Sequence, residues 1–292
     1  MKLSCVVIWY NPDDSCVQNI KTYHDLLDRV YVVDNSDKDN SSLLTGIDNI
    51  DYTPNLSNLG IAKAQNIGCR KALEEGYKWC MTMDQDSFWD KEQLKEYIDR
   101  VEECIRSEKV YSFGICTAGD PVLPYTHKFK QFIKKVIHYK SKVIIHPDRE
   151  YIDIVIASGN IISLDKWNEL DGFNEELFID EVDNEFCLRL NDMYPKSILM
   201  FNDIKMNHHL GEPKRTLFFR LDFHSGVRLY YCVRNVMYVT QRYPDYDKKY
   251  RRRESYRRVF FQNIRDLRFK DVSWMIKGYI AYKKGITGKY HK

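Results

Sequence analysis

The segment WCMTMDQDS, residues 79–87, decides the fold. WCMTM is apolar, too short for a buried helix, and stops at two carboxylates flanking one amide, so 79–84 reads as a buried strand ending in Asp84. Helical patterns lie on both sides. IAKAQNIGCRKALEEG (61–76) places Ile61, Ala64, Ile67 or Gly68, Ala72 and Leu73 on one face and stops at Gly76, and KEQLKEYIDRVEECIR (91–106) is amphipathic. Further upstream, LSCVVIWY (3–10) reads as a first strand closed by Asn11-Pro12. A helix is expected from about Asp13 to Leu27, a second strand at RVYVVD (29–34) and a weaker third at NIDYTP (49–54). This order predicts an α/β fold with a Rossmann-like, mainly parallel sheet and right-handed crossovers.

Downstream, IDIVIASGNIISL (152–164) predicts a strand interrupted at Ser158-Gly159-Asn160. The second half of 165–192 predicts a helix burying Val182, Phe186 and Leu190, with Asp183, Glu185 and Arg189 elsewhere. SILMF and IKMNHHLG supply two short strands, and the chain reads as helical from about Leu217. The expected division is an α/β domain over 1–215 and a helical region over 216–292.

Composition narrows the class. With 292 residues, 43% hydrophobic and 14% aromatic, the chain can bury a real core, which excludes disordered, collagen-like and coiled-coil readings. No apolar run approaches the roughly 18 residues of a spanning helix. MKLSCVVIWYNPDDS reads as a strand, not an export signal, which predicts a cytoplasmic protein. The eight cysteines show no CxxC or Cys/His metal spacing and are expected as reduced, buried thiols. Charge is unevenly spread. Residues 251–292 hold 13 Lys/Arg against 3 Asp/Glu, or +10, so of the totals of 45 and 42 the rest holds 32 against 39, or −7.

Asp34 and Asp84 end predicted parallel strands, where open α/β sheets place their ligands. Asp84-Gln85-Asp86 offers two carboxylates to a hard divalent cation, Mg²⁺ or Mn²⁺, which keeps phosphate oxygens and water among its ligands. His208-His209 follows a predicted strand and can add an imidazole ligand, with Gly211 behind it. Asp180, Glu181, Asp183 and Glu185 read either as a solvated acidic helix start or as a source of a general base. Arg228 and Arg234, interleaved with Tyr230, Tyr231 and Asn235, read either as surface charge or as a clamp for a diphosphate. Metal site, base and basic groups together describe a transferase with a phosphate leaving group.

The segments VVIWYN, VVDNS, NLSNLGIAKAQNIG, MDQDS, ASGNIISLDKWNELDGFNEELFIDEVDNEFCLRL, HHLGE and RLYYCVRN appear in this order across roughly 1–240. In that order they resemble the family 2 glycosyltransferases of the GT-A fold, close to the rhamnosyltransferase-like branch that builds bacterial surface polysaccharides. The resemblance implies a GT-A catalytic domain over 1–215 and a C-terminal helical region over 216–292 carrying a basic amphipathic tail. It implies that Tyr10 and Asp34 line a nucleobase pocket and that Asn58, Gly60, Lys63 and Asn66 border the nucleotide. It further implies that Asp84 contacts ribose or metal, Asp86 ligates the metal, and His208 completes metal or diphosphate binding. Asp183 would be the catalytic base, with Arg189 holding the charge cluster of its helix, and Arg228 and Arg234 would support the diphosphate or an anionic acceptor. Val182 replaces the acidic residue that commonly precedes the family's base, so Asp180, Glu181 and Glu185 stay open as alternatives. Without the QxxRW motif of processive synthases, a single-sugar transfer is expected.

The expected reaction moves one sugar, rhamnose from a dTDP donor, to a glycan or lipid-linked glycan with inversion. A UDP-linked galactose, glucose or galactofuranose is the alternative donor. The basic tail, with Val, Phe, Trp, Met, Ile and Tyr at near-helical spacing, suits either an anionic inner-leaflet surface or packing on the core. A non-enzymatic nucleic-acid-binding protein is the competing class, but it leaves the strand-end aspartates without a role.

Overall fold

The structure, a computed structural model, describes residues 1–118, 147–208 and 226–291. Strands β1 (Ser4–Trp9), β2 (Arg29–Asp34), β3 (Ile50–Pro54) and β4 (Trp79–Asp84) form a parallel array in the spatial order β3-β2-β1-β4. Trp9 pairs with Asp34, and Ile8 pairs with Asp84, so the carboxyl ends of three strands finish on one edge. Beyond β4 the sheet reverses. β8 (Asn160–Ser163) runs antiparallel to β4, and next come β6 (Ser112–Ala118), β9 (Ile198–His208) and β5 (Ser87–Phe88), with β7 (Arg149–Tyr151) also on β9.

The sheet is sandwiched between two apolar layers. On one side, α1 (Asp14–Lys21) and α3 (Lys91–Ser107) bury Ile20, Leu94, Tyr97 and Val101 with Val7, Trp9 and Met81. On the other, α2 (Ile61–Glu74), α4 (Leu164–Glu169) and α5 (Val182–Met193) pack with Val6, Ile8, Val33 and Trp167. The C-terminal helices α6 (Val227–Arg242), α7 (Pro244–Tyr250), α8 (Arg252–Arg265) and α9 (Phe269–Lys283) follow, and α9 lies along α6. Gly278 is needed there, because a Cβ would sit 2.3 Å from the Tyr230 carbonyl oxygen. The tail therefore packs on the body through one face.

Several sequence expectations change in detail. The first helix ends at Lys21, and His24–Leu26 forms a separate 3₁₀ turn. The buried face of α2 includes the expected Ala64, Gly68 and Ala72 but also Ala62, Gln65, Asn66 and Cys69, while Ile61, Ile67 and Leu73 are only partly covered. The small residues let α2 approach β1 closely, which an apolar count does not register. SILMF and IKMNH form one strand, β9, because a register shift opposite Ile115/Cys116 absorbs the polar interruption between them. The strand expected over 152–164 is confined to Asn160–Ser163, with irregular backbone before it. All eight cysteines are buried free thiols. The onset of helix expected near Leu217 lies outside the described residues, as do His209 and Gly211.

Candidate active site

At the carboxyl edge of the parallel strands, short loops are tied together by hydrogen bonds. The Asn11 N–H donates to Ser36 Oγ (2.7 Å), the Asn55 N–H to the Asp34 carbonyl (2.8 Å), and Asn35 Nδ2 to the Gly60 carbonyl (3.0 Å). Gln85 joins the turn after β4 to this group, accepting from the Tyr10 N–H at 2.7 Å while its carbonyl takes a bond from Asn19 Nδ2 at 2.8 Å. Tyr10 keeps 48% of its surface exposed beside that turn.

Asp34 does not fit the role of nucleobase acceptor. It is completely buried, and its carboxylate accepts from the Ser36 N–H and hydroxyl, Asn40 Nδ2 and the Tyr52 hydroxyl. A carboxylate has about four acceptor positions, and here all four are used to shape the loop. Arg234 is likewise withdrawn from any cleft. Fully buried, it donates to the carbonyls of Glu176, Leu177 and Gly288 and to Asn235 Oδ1, so a diphosphate cannot reach it. Asn66 is a strut, exchanging bonds with the Phe173 backbone and donating to Glu175.

Around α2, Asn58 and Lys63 of the other expected nucleotide neighbours lie at the surface, while Gly60 is buried. Asn58 Oδ1 accepts the Gly60 N–H at 2.9 Å, and Lys63, 49% exposed, stands 3.9 Å from Glu175. Gly60 has φ +90°, and a Cβ there would meet the Phe178 ring at 2.5 Å and its carbonyl oxygen at 2.7 Å. That contact, with the Ile61 N–H donating to the Phe178 carbonyl at 2.7 Å, joins the start of α2 to the loop before α5.

The carboxylates converge across the turn 157–159. Asp84 accepts from Ser158 Oγ, and the neighbouring Ala157 N–H donates to Asp183 Oδ2 at 3.1 Å. Thr82 holds the turn, its hydroxyl bonded to the Ala157 carbonyl at 2.6 Å and its carbonyl accepting the Gly159 N–H at 2.9 Å. Asp183 is in the first turn of α5, where the helix dipole favours an anion. Burial opposes ionisation more strongly, and the adjacent Asp84 charge adds to it, so the Asp183 carboxyl is pushed up to about 7. That leaves a carboxylate that can take a proton near neutrality.

The remaining acids are structural. Glu181 is buried, accepts the Tyr246 hydroxyl at 2.9 Å and pairs with Arg252 of α8. Glu185 is buried and held by Arg189 at 2.9 Å; Arg189 also donates to the Leu170 and Gly172 carbonyls. Asp180 pairs with Arg228 at 3.0 Å. The acidic run is thus not a solvated helix start, and Asp183 is the member facing Asp84. Phe178, Asp180 and Glu181 all have positive φ, 63° to 65°, an unfavourable backbone for side-chain-bearing residues. A cavity of 380 Å³, lined by Glu185, Tyr238 and Tyr243, lies on another side of α5 and does not contain Asp183.

His208 ends β9 with its backbone paired to Ser87, directly after Asp86. Its side chain lies outside the described residues, and among the described residues no three metal-ligating side chains converge. The Asp84–Asp86 turn thus leads directly into the short strand that pairs with the end of β9. Sequence reasoning missed Gln85, Ser158, Tyr246 and Arg252. Only Ser158 left a trace, as a polar break in an apolar run.

Comparison with known proteins agrees with this geometry. Residues 4–117 match the family described as Glycosyl transferase family 2. A dTDP-rhamnosyl transferase, RfbF of Shigella flexneri, is 30% identical over 254 residues, covering 79% of this chain and 77% of its own. Among solved structures, Staphylococcus aureus TarS 1-349 in complex with UDP-GlcNAc aligns over 80% of this chain with a TM-score of 0.53 and 16% identity. GalNAc-T7 with UDP, GalNAc and Mn²⁺ aligns over 82% with a TM-score of 0.54 and 15% identity. The chain spans 65% and 48% of the lengths of those two structures, and at such identities they speak for the fold alone, which is GT-A. A strand-end carboxylate turn beside Asp183, on a sheet of this topology and with a relative of this identity, leads to one assignment: the chain belongs to the family 2 glycosyltransferases and transfers a glycosyl group from a nucleotide sugar.

Proposed function

We propose that this enzyme is an inverting, divalent-cation-dependent rhamnosyltransferase that moves one rhamnose from a dTDP donor to a hydroxyl of a glycan or lipid-linked glycan in bacterial polysaccharide synthesis. The observation that carries the proposal is the Asp183 carboxyl, pushed up to about 7 and aimed at the Asp84 side of the cleft by the Ala157 N–H. The choice of donor is supported by the similarity to a dTDP-rhamnosyl transferase.

In this reading the acceptor oxygen attacks the anomeric carbon from the side opposite the diphosphate. The bond from that carbon to the diphosphate oxygen breaks, and its electron pair leaves with the nucleotide. Asp183 accepts the acceptor's proton, and one displacement inverts the anomeric centre. Tyr10 borders the nucleobase, while Asn58, Gly60 and Lys63 border the nucleotide. Asp84, oriented by Ser158, faces the ribose or the cation. Asp86 and His208 would hold Mn²⁺ or Mg²⁺, which when bound offsets the charge growing on the leaving diphosphate. Arg228, 44% exposed beside Asp180, is placed to meet an anionic group of the acceptor or donor.

The test is nucleotide release from dTDP-rhamnose and a panel of UDP-sugars, with Mn²⁺ or Mg²⁺ and with EDTA. Release from dTDP-rhamnose that EDTA suppresses at least tenfold is expected. Turnover with a UDP-sugar alone overturns the rhamnosyl choice, and turnover indifferent to EDTA overturns the cation.

A further inference from the structure

We propose that the tip of the hairpin formed by α8 and α9 is a docking surface for an anionic lipid bilayer. One face of each helix is already used: Val259 and Asn263 of α8 and Val272, Met275, Gly278 and Ala281 of α9 are buried, and Leu229 of α6 packs with Val259 and Met275. The outer face should then be polar in a protein surrounded only by water. Instead, Phe261 is 61% exposed, Leu267 72% and Phe269 62%, with Ile264 beside them, and Ile276 and Ile280 continue the exposure along α9.

The turn that presents them is well formed. The Leu267 N–H donates to the Ile264 carbonyl at 3.1 Å and the Arg268 N–H to the Asn263 carbonyl at 2.8 Å, with Leu267 at φ +56°. Ile264, Leu267 and Phe269 are therefore gathered around the turn instead of spread along a helix. Scattered exposed apolar residues need no explanation, but several at one tip mark an interaction site.

Charge selects the occupant. Residues 257–277 carry six Lys/Arg, namely Arg257, Arg258, Arg265, Arg268, Lys270 and Lys277, against Asp266 and Asp271. Both acids are already paired, with Arg265 and Arg268. Arg258 is also paired, with Glu254, while Arg257, Lys270 and Lys277 add net positive charge to the same stretch as the exposed apolar side chains, a combination that matches acyl chains below a layer of anionic headgroups. A second copy meeting this one tip to tip would set like charges against each other, and a nucleic acid would leave the apolar tip in water. No described helix is long and apolar enough to cross a membrane. The inference rests on the proposed function only for its use, bringing the enzyme to a lipid-linked acceptor.

The experiment is co-sedimentation of the full chain with phosphatidylglycerol vesicles and with phosphatidylcholine vesicles, without donor or acceptor, so that its result is independent of the transferase reading. Binding to the anionic vesicles at least tenfold tighter than to the neutral ones is expected. The double substitution Leu267→Ser, Phe269→Ser should lower it at least tenfold, as should Arg257→Glu with Lys270→Glu. Because these side chains are exposed, the melting temperature and the release of nucleotide from soluble donor should stay unchanged. Absence of anionic-vesicle binding, or binding indifferent to both pairs of substitutions, overturns the proposal. So does light scattering that shows a dimer dispersed by Leu267→Ser, Phe269→Ser, which would assign the tip to a second copy.

Discussion

Replacing Asp183 with Asn should make the protein more stable and nearly inactive, and the gain in stability should depend on pH. Asp183 titrates at 3.8 when unperturbed and is pushed up to about 7 in the folded chain. Between those values the folded state binds a proton that the unfolded state has lost. Stability is therefore fully present below the unfolded value and is lost as pH rises through the folded one. At about 1.4 kcal/mol per pH unit, the interval sets an upper bound of about 4 kcal/mol. The side chain is partly exposed, and local relaxation and water screening reduce this to roughly 2 kcal/mol. Asn keeps an oxygen to accept the Ala157 N–H and never ionises. For a chain of this size the variant should melt about 3 °C higher at alkaline pH. The gap should shrink as pH falls below about 7 and nearly close by about pH 4, near the unfolded value. Differential scanning calorimetry of both proteins in EDTA across that range measures it. Transfer by the variant should fall roughly 10²–10⁴-fold, while donor binding survives. A melting difference that stays flat with pH would refute the buried-carboxylate argument. Near-wild-type turnover would remove Asp183 as the base.

Two further perturbations probe the scaffold. Arg252→Ala leaves Glu181 buried with one charge partner gone, and should cost about 3 kcal/mol of stability and lower kcat more than KM; Arg252→Lys should recover part of both, as measured by urea unfolding and nucleotide release. Gly60→Ala forces φ +90° on a side-chain-bearing residue and drives its Cβ into Phe178; a loss of about 1–3 kcal/mol is expected, together with weaker donor binding by isothermal calorimetry. A Gly60→Ala enzyme with unaltered stability would show that the junction between α2 and Phe178 yields easily.

The parallel half of the sheet was legible because strand and helix periodicities differ and because Asp34 and Asp84 sit where apolar runs stop. WCMTMD shows its strand end in the composition of six residues. The MDQDS turn was legible for the same local reason, whereas Asp183 was singled out among four neighbouring acids only by the family resemblance. What stayed hidden was long-range satisfaction of polar groups. Asp34 and Arg234 look like binding groups in sequence, yet both are consumed by partners, Tyr52 at 18 residues' separation and Gly288 at 54. The alternation that suggested two strands in 197–208 could not reveal a register shift, since that depends on the opposing strand β6. Arg252 was counted among tail charges, and only the fold pairs it with an acid 71 residues earlier.

That last pairing changes how the C-terminal region should be understood. Asp183 lies in the first turn of α5, close behind Phe178, Asp180 and Glu181, all held at positive φ, a backbone that relaxes unless its surroundings hold it. Beside the Ile61 N–H bond to the Phe178 carbonyl, many of the restraints come from the later helices. Asn235 donates to the carbonyls of Leu177, Ile179 and Asp180, Arg234 to Glu176 and Leu177, Arg228 binds Asp180, and Tyr246 and Arg252 bind Glu181. The loop 176–181 is thus strained on the α/β side and clamped from α6, α7 and α8. A division at residue 215 separates the strained element from its clamp, and removing the basic tail from residue 251 would take away Arg252 along with the exposed hairpin tip. Deletion therefore cannot distinguish a membrane contact from a catalytic one. Substitutions at Leu267 and Phe269 on one hand, and at Arg252 on the other, separate the two roles because Arg252 starts α8 whereas Leu267 and Phe269 lie beyond its other end.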